Sequence, residues 1–458
     1  MTLYNTGLGA IGTNTLLTGR KKLHFIGIGG VQMRALATLC AARGLRVSGC
    51  DDSPRARASL AAEGFTLDAP GEYAHLTAAD AVVYSLAIDG THPAYCAAAA
   101  LGIPVISRAD LLASLMSPYE TRVAIAGSHG KSSVTAMLAH VLTQAGRDPT
   151  VIAGANLPET GSPLRIGGGA TVIAEACEYR DSFLALSPTH GTLLSFDLDH
   201  VDYFANDAAL AASFAAFAAR CHTLVANAED ATCSAIANTH ENARMFGIHE
   251  GDVYARELQG TQGRYAFHLM QGARDLGKVS LAVTGVHNVK NALATAAIAL
   301  ELGVDAAHIT AALSDFQGVD RRLSPRGLFR GAALVEDYAH HPREVAAALA
   351  AMRESAPTGR LFVVFEPHTY SRTAAFLDAL SAALSKADRV FVTDIYPARE
   401  QNTYGVTPRD LTLRIGAHAT HVGNLTATAR ALAREIAPLD SVLLLSAGQT
   451  APFFEALL

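Results

Sequence analysis

The sequence predicts an α/β protein of three consecutive α/β domains: Rossmann-like at the N-terminus, P-loop-type in the centre and Rossmann-like again at the C-terminus. Three observations carry this. Short buried apolar runs alternate with stretches of helical periodicity along nearly the whole chain. Glycine-rich turns follow the first apolar run of the first block and of the second. The 458 residues, at about 150 per domain, correspond to roughly three domains.

Composition narrows the function classes. A hydrophobic fraction of 50% with only 17% charged residues excludes an extended disordered chain. Lys and Arg number 36 against 42 Asp and Glu, a net charge of −6, so no basic field is available for nucleic acid or an anionic membrane. An anionic ligand must then be held by local loops. Cys40, Cys50, Cys96, Cys177, Cys221 and Cys233 form no C-x-x-C pair, which points to reduced thiols in a cytoplasmic protein rather than to disulfides or zinc. No apolar run is long and clean enough to span a bilayer. Residues 1–20 lack a basic start, and Gly, Asn and Thr break their apolar stretch, so a loose tail is expected rather than a secretory signal.

The first domain is expected over residues 21–118. KKLHFIGIGG, VQMRALATLCAARG and LRVSGCDD read as strand, helix and strand, a βαβ unit, and AADAVVYSLAI and GIPVIS continue it to a doubly wound parallel sheet of about five strands. Gly27, Gly29 and Gly30 stand where the first strand turns into a helix, a place where N–H groups and the helix dipole can hold phosphate. Asp51, ending the second strand, could accept a ribose hydroxyl. Gln32 interrupts the G-x-G-x-x-G pattern, so the turn reads equally as a structural turn or as a site for a diphosphate-bearing nucleotide sugar.

The central domain is expected over 119–322. TRVAIAG forms a strand, and Gly127, Ser128, His129, Gly130, Lys131, Ser132 and Ser133 lead from it into a helix with Val134, Met137, Leu138, Val141 and Leu142 on one face. Small residues let the backbone wrap a polyphosphate, the lysine reaches its outer phosphates, and the neighbouring hydroxyl can bind Mg²⁺. Ile125 stands where the usual P-loop has its first glycine, so the loop is a shortened one for ATP. Glu175 ends the strand TVIAE, and His200 follows GTLLSFD, so both emerge at carboxyl ends of strands. Ser132 and Glu175 offer oxygens suited to Mg²⁺, while His200 is either a further ligand or a capping and packing residue. His287, Asn288 and Asn291 share one helical face, where amides could read an adenine edge; the alternative is an N-terminal helix cap in Gly285-Val286-His287-Asn288.

The C-terminal domain, 323–458, alternates strand and helix through ALVEDY, RLFVVFEPHTY, RVFVTDIY and SVLLLSAG. Arg321 and Arg322, Asp337 and Tyr338, His340 and His341, and His368 with Arg372 fall in its loops as one convergent polar rim.

Nine segments in order, GIGG, GSHGKS, EACEYRDSF, DLDHVDYF, GVHNVKNALA, FQGVDRRL, EDYAHHPREV, FEPHTYSRT and DIYPAREQN, resemble the Mur ligase family from about Lys22 onward. The resemblance is strongest to the branch that adds L-alanine to UDP-N-acetylmuramic acid. It implies an ATP-dependent amide ligase of peptidoglycan precursor synthesis, working through an acyl phosphate with Mg²⁺. It implies a UDP-sugar site at Gly27, Gly29, Gly30, Asp51 and Ser85, phosphate and metal roles for Lys131, Ser132, Glu175 and His200, and an adenine side at His287, Asn288 and Asn291. Arg322 would touch phosphate and Asp337 ribose, and Tyr338, His341, His368 and Arg372 would border the alanine pocket. Relatives that add later residues use a carbamylated lysine in the central domain, and no lysine stands between Lys131 and Lys278 here, which favours the alanine-adding branch. Gln32, Arg34, Ser195, Glu336 and Gln449 depart from the family's pattern. The resemblance also admits a ligase that joins a recycled murein peptide to the same sugar nucleotide, or a UDP-sugar-binding regulator with weakened catalysis.

Overall fold

A computed structural model describes residues 16–86, 88, 90–356, 358–398 and 400–457; of the tail expected over 1–20, residues 1–15 lie outside the described residues. The chain forms two compact units, Met1–Phe196 with Ala211–Met245, and Asp197–Leu210 with Phe246–Leu458.

In the first unit, β1 (Lys22–Ile26), β2 (Arg46–Cys50), β3 (Thr66–Leu67), β4 (Ala81–Tyr84) and β5 (Val105–Ser107) form a parallel sheet of order β3-β2-β1-β4-β5. This is the expected five-stranded doubly wound sheet, and its order reverses between β1 and β4, where α/β sheets open a crevice. Leu23, Phe25 and Ile26 are wholly buried because β1 is covered on both faces. The helix Val31–Ala42 starts at Gly30 and buries Met33, Leu36, Ala37 and Cys40 at helical spacing. Ser107 caps the helix Arg108–Met116 by accepting the Asp110 N–H at 3.0 Å, and the helix stops before Ser117-Pro118 as that pair predicts.

The same unit holds β6 (Thr121–Ile125), β7 (Thr150–Ile152), β8 (Leu164–Arg165), β9 (Thr171–Glu175), β10 (His190–Leu193) and β11 (Thr223–Asn227), ordered β11-β10-β6-β9-β7-β8. All pairs are parallel except β7 with β8. The division between units falls within β12 (Ala243–Gly247). The helix Lys131–Gln144 buries Val134, Met137, Leu138, Val141 and Leu142, the face expected from their spacing.

The second unit begins its sheet structure with an antiparallel meander not expected from the sequence: β13 (Val253–Thr261), β14 (Arg264–Gln271) and β15 (Arg274–Thr284). Charged and apolar residues mix along these strands, and their bulges interrupt the two-residue alternation that would reveal them. The helix Val286–Glu301 follows, ending before Gly303 as expected. The last sheet contains β16 (Ser324–Phe329), β17 (Ala332–Asp337), β18 (Leu361–Phe365), β19 (Arg389–Thr393), β20 (Ala419–Gly423) and β21 (Ser441–Leu445), ordered β16-β17-β21-β18-β19-β20. Only β16 pairs antiparallel. Val363 and Phe365 enter one core with Leu349 and Leu384, and Phe362 and Val364 enter another with Leu432 and Phe453. Alternate residues of β18 are therefore buried on opposite faces, which is why the sequence shows a continuous apolar run.

Candidate active site

In the first unit, β1 delivers its chain into the glycine turn. The Gly29 N–H donates to Asp51 Oδ2 at 2.8 Å, and Asp51 Oδ1 accepts the Ser53 N–H at 3.0 Å. A Cβ at Gly29 would collide with that carboxylate and with Ala56, so only glycine lets the turn close on Asp51. Asp51 thus ties the turn to β2, in addition to any ribose it would accept. Gln32 accepts from the Arg108 guanidinium, which accounts for a long amide at that position. Ser85 follows β4 beside the reversal in strand order, and the Arg180 guanidinium reaches the adjacent Leu86 carbonyl at 3.2 Å.

The second glycine loop joins β6 to the helix Lys131–Gln144. Gly127 has φ 140° and Gly130 φ 88°, and a Cβ on Gly127 would lie 2.8 Å from that of Leu194, so the loop needs glycine there. Ser195 closes the loop from β10's end: its carbonyl accepts the Ser128 N–H at 2.9 Å and its hydroxyl accepts the His129 N–H at 2.9 Å. Lys131 folds back over the loop, with Nζ 2.6 Å from the Gly127 carbonyl and 2.9 Å from Glu178 Oε2. Burial alone would lower the pKa of this ammonium, but Glu178, Cys177 and Glu175 outweigh it and hold the group above its ordinary value.

Glu175 and Ser132 are both buried, at 6% and 7% exposure, and Glu175 Oε1 accepts the Gly154 N–H. Their oxygens are the hard donors that Mg²⁺ prefers, and the remaining coordination would come from water and phosphate, so these residues fit the ion. His200 belongs to the second unit, where its N–H donates to Asp199 Oδ1 at 2.7 Å and its φ is 52°. Glu178 is a functional candidate that the sequence marks only by a second carboxylate three residues past Glu175, in EACEYRDSF.

In the second unit, Arg372, from the helix Tyr370–Ala375, donates from Nε and Nη2 to Asp199 Oδ1 and from Nη1 to His368 Nδ1 at 2.8 Å. Burial would raise the Asp199 pKa, but Arg372, His200 and His340 hold it well below the usual carboxylate range. His368 is pushed down to about 3 by burial, by the neighbouring imidazole of His340 and by the Arg372 cation, and it stacks on Tyr396. His340, which the sequence placed in the rim without a role, packs against both His368 and Tyr338. The two arginines Arg321 and Arg322 lie over the Tyr338 ring at 5.0 and 5.2 Å. His341 is the N-cap of Pro342–Ser355, with Glu344 completing a capping box, and is buried.

Asp337 accepts the Leu323 and Ala339 N–H groups, both at 2.7 Å, and burial pushes it up to about 6 although Arg322 opposes. Asn288 donates to the Thr284 carbonyl at 2.7 Å and accepts from Asn291 at 3.0 Å, while burial lowers His287 to about 4, a neutral imidazole at neutral pH. The helix starts in this segment, with Gly285 as its N-cap and no side-chain cap hydrogen bond, so the N-terminal cap expected over Gly285-Val286-His287-Asn288 is present in its backbone form. Of the departures from the family pattern, Glu336 pairs with Arg321 and Arg326, each at 2.7 Å.

Comparison with known proteins identifies the lineage. The Mur ligase family catalytic domain is matched over residues 22–120, the Mur ligase middle domain over 125–299 and the Mur ligase glutamate ligase domain over 321–448. The chain is 38% identical over 398 residues to the UDP-N-acetylmuramate--L-alanine ligase of Caldanaerobacter subterraneus subsp. tengcongensis, covering 85% of this chain and 86% of that protein. It is 36% identical over 403 residues to the enzyme of the same name from Aquifex aeolicus, covering 87% and 88%. The crystal structure of UDP-N-acetylmuramate-alanine ligase from Thermotoga maritima superposes with a TM-score of 0.80 at 25% identity, over 95% of this chain and 98% of that one. Three consecutive α/β domains, and a relationship extending over most of both chains, place this protein among the Mur ligases: the chain belongs to the Mur ligase family.

Proposed function

We infer that the chain is an ATP-dependent ligase that joins L-alanine to UDP-N-acetylmuramic acid, a step of peptidoglycan precursor synthesis in the cytoplasm. The observation that carries the phosphoryl chemistry is Lys131, half-buried at the start of a helix behind a two-glycine loop, with Glu175 close enough to act on its charge. Residues 21–118 would hold the UDP-sugar, 119–322 ATP and 323–458 the amino acid.

The reaction has two stages. An oxygen of the lactyl carboxylate attacks the γ-phosphorus, ADP leaves, and an acyl phosphate forms. Two anions must approach, so Lys131, Arg322 and the loop N–H groups would offset their repulsion. Ser132 and Glu175 would hold Mg²⁺, which would supply further neutralisation of the phosphate oxygens. The amine of L-alanine then attacks the acyl carbon, expelling phosphate and losing its proton as the amide forms. Arg372 would orient the alanine carboxylate, with Tyr338, His341 and His368 limiting the side chain. Asn288, Asn291 and His287 would face adenine and Asp337 the ribose.

An isotope experiment tests this. With ¹⁸O in the lactyl carboxylate, transfer through an acyl phosphate carries one labelled oxygen into the released phosphate, and release requires ATP, the sugar nucleotide and L-alanine together. Unlabelled phosphate, or release without the sugar nucleotide, contradicts the reading.

A further inference from the structure

The Lys131 ammonium is unusually well surrounded. Glu178 presents both carboxylate oxygens to Nζ, at 2.9 and 3.2 Å, and the carbonyls of Gly127 and Ser128 lie at 2.6 and 3.2 Å. Four acceptors thus face a group with three N–H donors. Glu178 is 2% exposed, and the backbone that carries it is well anchored. The following turn, Tyr179–Ala185, closes through a Ser182 hydroxyl bond to the Tyr179 carbonyl, an Asp181 bond to Ser213, and Phe183 packed against Phe214 and Phe217.

We propose that Glu178 is a positioning residue for phosphoryl transfer, holding Lys131 over the glycine loop in the orientation from which it meets the transferring phosphate. The proposal rests on the reading of Lys131 as the residue that contacts ATP phosphates. A lysine on a four-carbon stem loses rotamer freedom when it engages a ligand, and here that freedom is already gone. An ammonium set in place beforehand needs no reorganisation as negative charge develops. A carboxylate beside a polyphosphate repels it, so Glu178 favours phosphoryl transfer through the cation it holds. Its effect must therefore change with the lysine's presence.

This is what a double-mutant cycle reads. Glu178→Gln keeps the shape of the site and removes the charge. In the wild-type background it lowers kcat for L-alanine-dependent phosphate release at least tenfold while KM for ATP moves less than threefold. In the Lys131→Ala background the same change leaves kcat equal or raises it, because the cation through which Glu178 acts is absent and one negative charge beside the phosphates is removed. UDP-sugar affinity and melting temperature of all four proteins report their folding. A merely structural glutamate would lower kcat by the same factor in both backgrounds; that result, or a Glu178→Gln kcat within twofold of wild type, overturns the proposal. If the wild type shows no alanine-dependent release, the ligase reading fails separately, and the cycle is read from ATP affinity. The Lys131→Ala, Glu178→Gln protein then binds ATP more tightly than Lys131→Ala alone; equal or weaker binding overturns the proposal.

Discussion

Arg372 grips Asp199 through two N–H groups that converge on one carboxylate oxygen, Oδ1, at 3.0 and 2.8 Å. The two side chains are 9% and 11% exposed, and because a guanidinium carries five N–H donors, the alanine carboxylate of the proposed function would add to this pair rather than replace it. Asp199 thereby sets the direction in which Arg372 points. Asp199→Ala leaves a buried cation unpaired and is expected to cost about 3 to 5 kcal/mol of stability. Asp199→Asn, which retains an acceptor, is expected to keep the fold and raise KM for L-alanine, with KM for ATP little changed. Steady-state kinetics with each substrate varied in turn check this.

Lys131→Ala is expected to lower the ligation rate by about 10²-fold or more, since it removes a cation from developing phosphoryl charge. UDP-sugar affinity should stay within a few fold, because that substrate is assigned to residues of the N-terminal sheet. Calorimetric titration with the sugar nucleotide distinguishes the two effects; parallel loss of both would argue against separate sites.

Glu175→Gln preserves size and the acceptor for the Gly154 N–H but removes the charge that would hold Mg²⁺. The concentration of Mg²⁺ giving half-maximal rate should rise sharply. A metal titration that overlays the wild-type curve would make Glu175 a structural strand-end residue.

Much of the fold was legible because parallel strands buried on both faces leave continuous apolar runs, as in KLHFI, TRVAI, LFVVF and SVLLL. The meander over Val253–Thr284 was not, because exposed residues and bulges obscure its period. The glycine loop and Lys131 could be read locally, since their chemistry lies within seven consecutive residues. The partners that hold site residues could not. Asp51 on Gly29, Glu178 on Lys131 and Asp199 on Arg372 are separated by 22, 47 and 173 residues, and such pairs exist only once the sheets have formed.

Buried imidazoles give the protein an acid-sensitive stability. His24 is wholly buried in β1, its Nδ1 shares a 3.0 Å hydrogen bond with Ser48, and burial lowers its pKa to about 4 even though Asp68 opposes. In the unfolded chain it takes up a proton near 6.5, so between about 6.5 and 4 the unfolded state binds more protons and stability falls as pH falls. The slope from one such group is about 1.4 kcal/mol per pH unit. Melting temperatures of wild type and His24→Gln between pH 7.5 and 5 check this: the wild type should lose more of its stability on acidification, and identical slopes would contradict the assignment.

The identity of the amino acid decides which ligase this is. Equal concentrations of L-alanine, glycine, L-serine and a muropeptide-type tripeptide, offered together with ATP, Mg²⁺ and UDP-N-acetylmuramic acid, compete for one acyl phosphate, and mass spectrometry of the sugar nucleotide gives the outcome in one reaction. The mass of the L-alanine adduct should dominate, with glycine and L-serine adducts present at lower levels, because one methyl or hydroxyl is worth only about 1 to 3 kcal/mol. A product carrying mainly the tripeptide, or no amide product at all, would contradict the account.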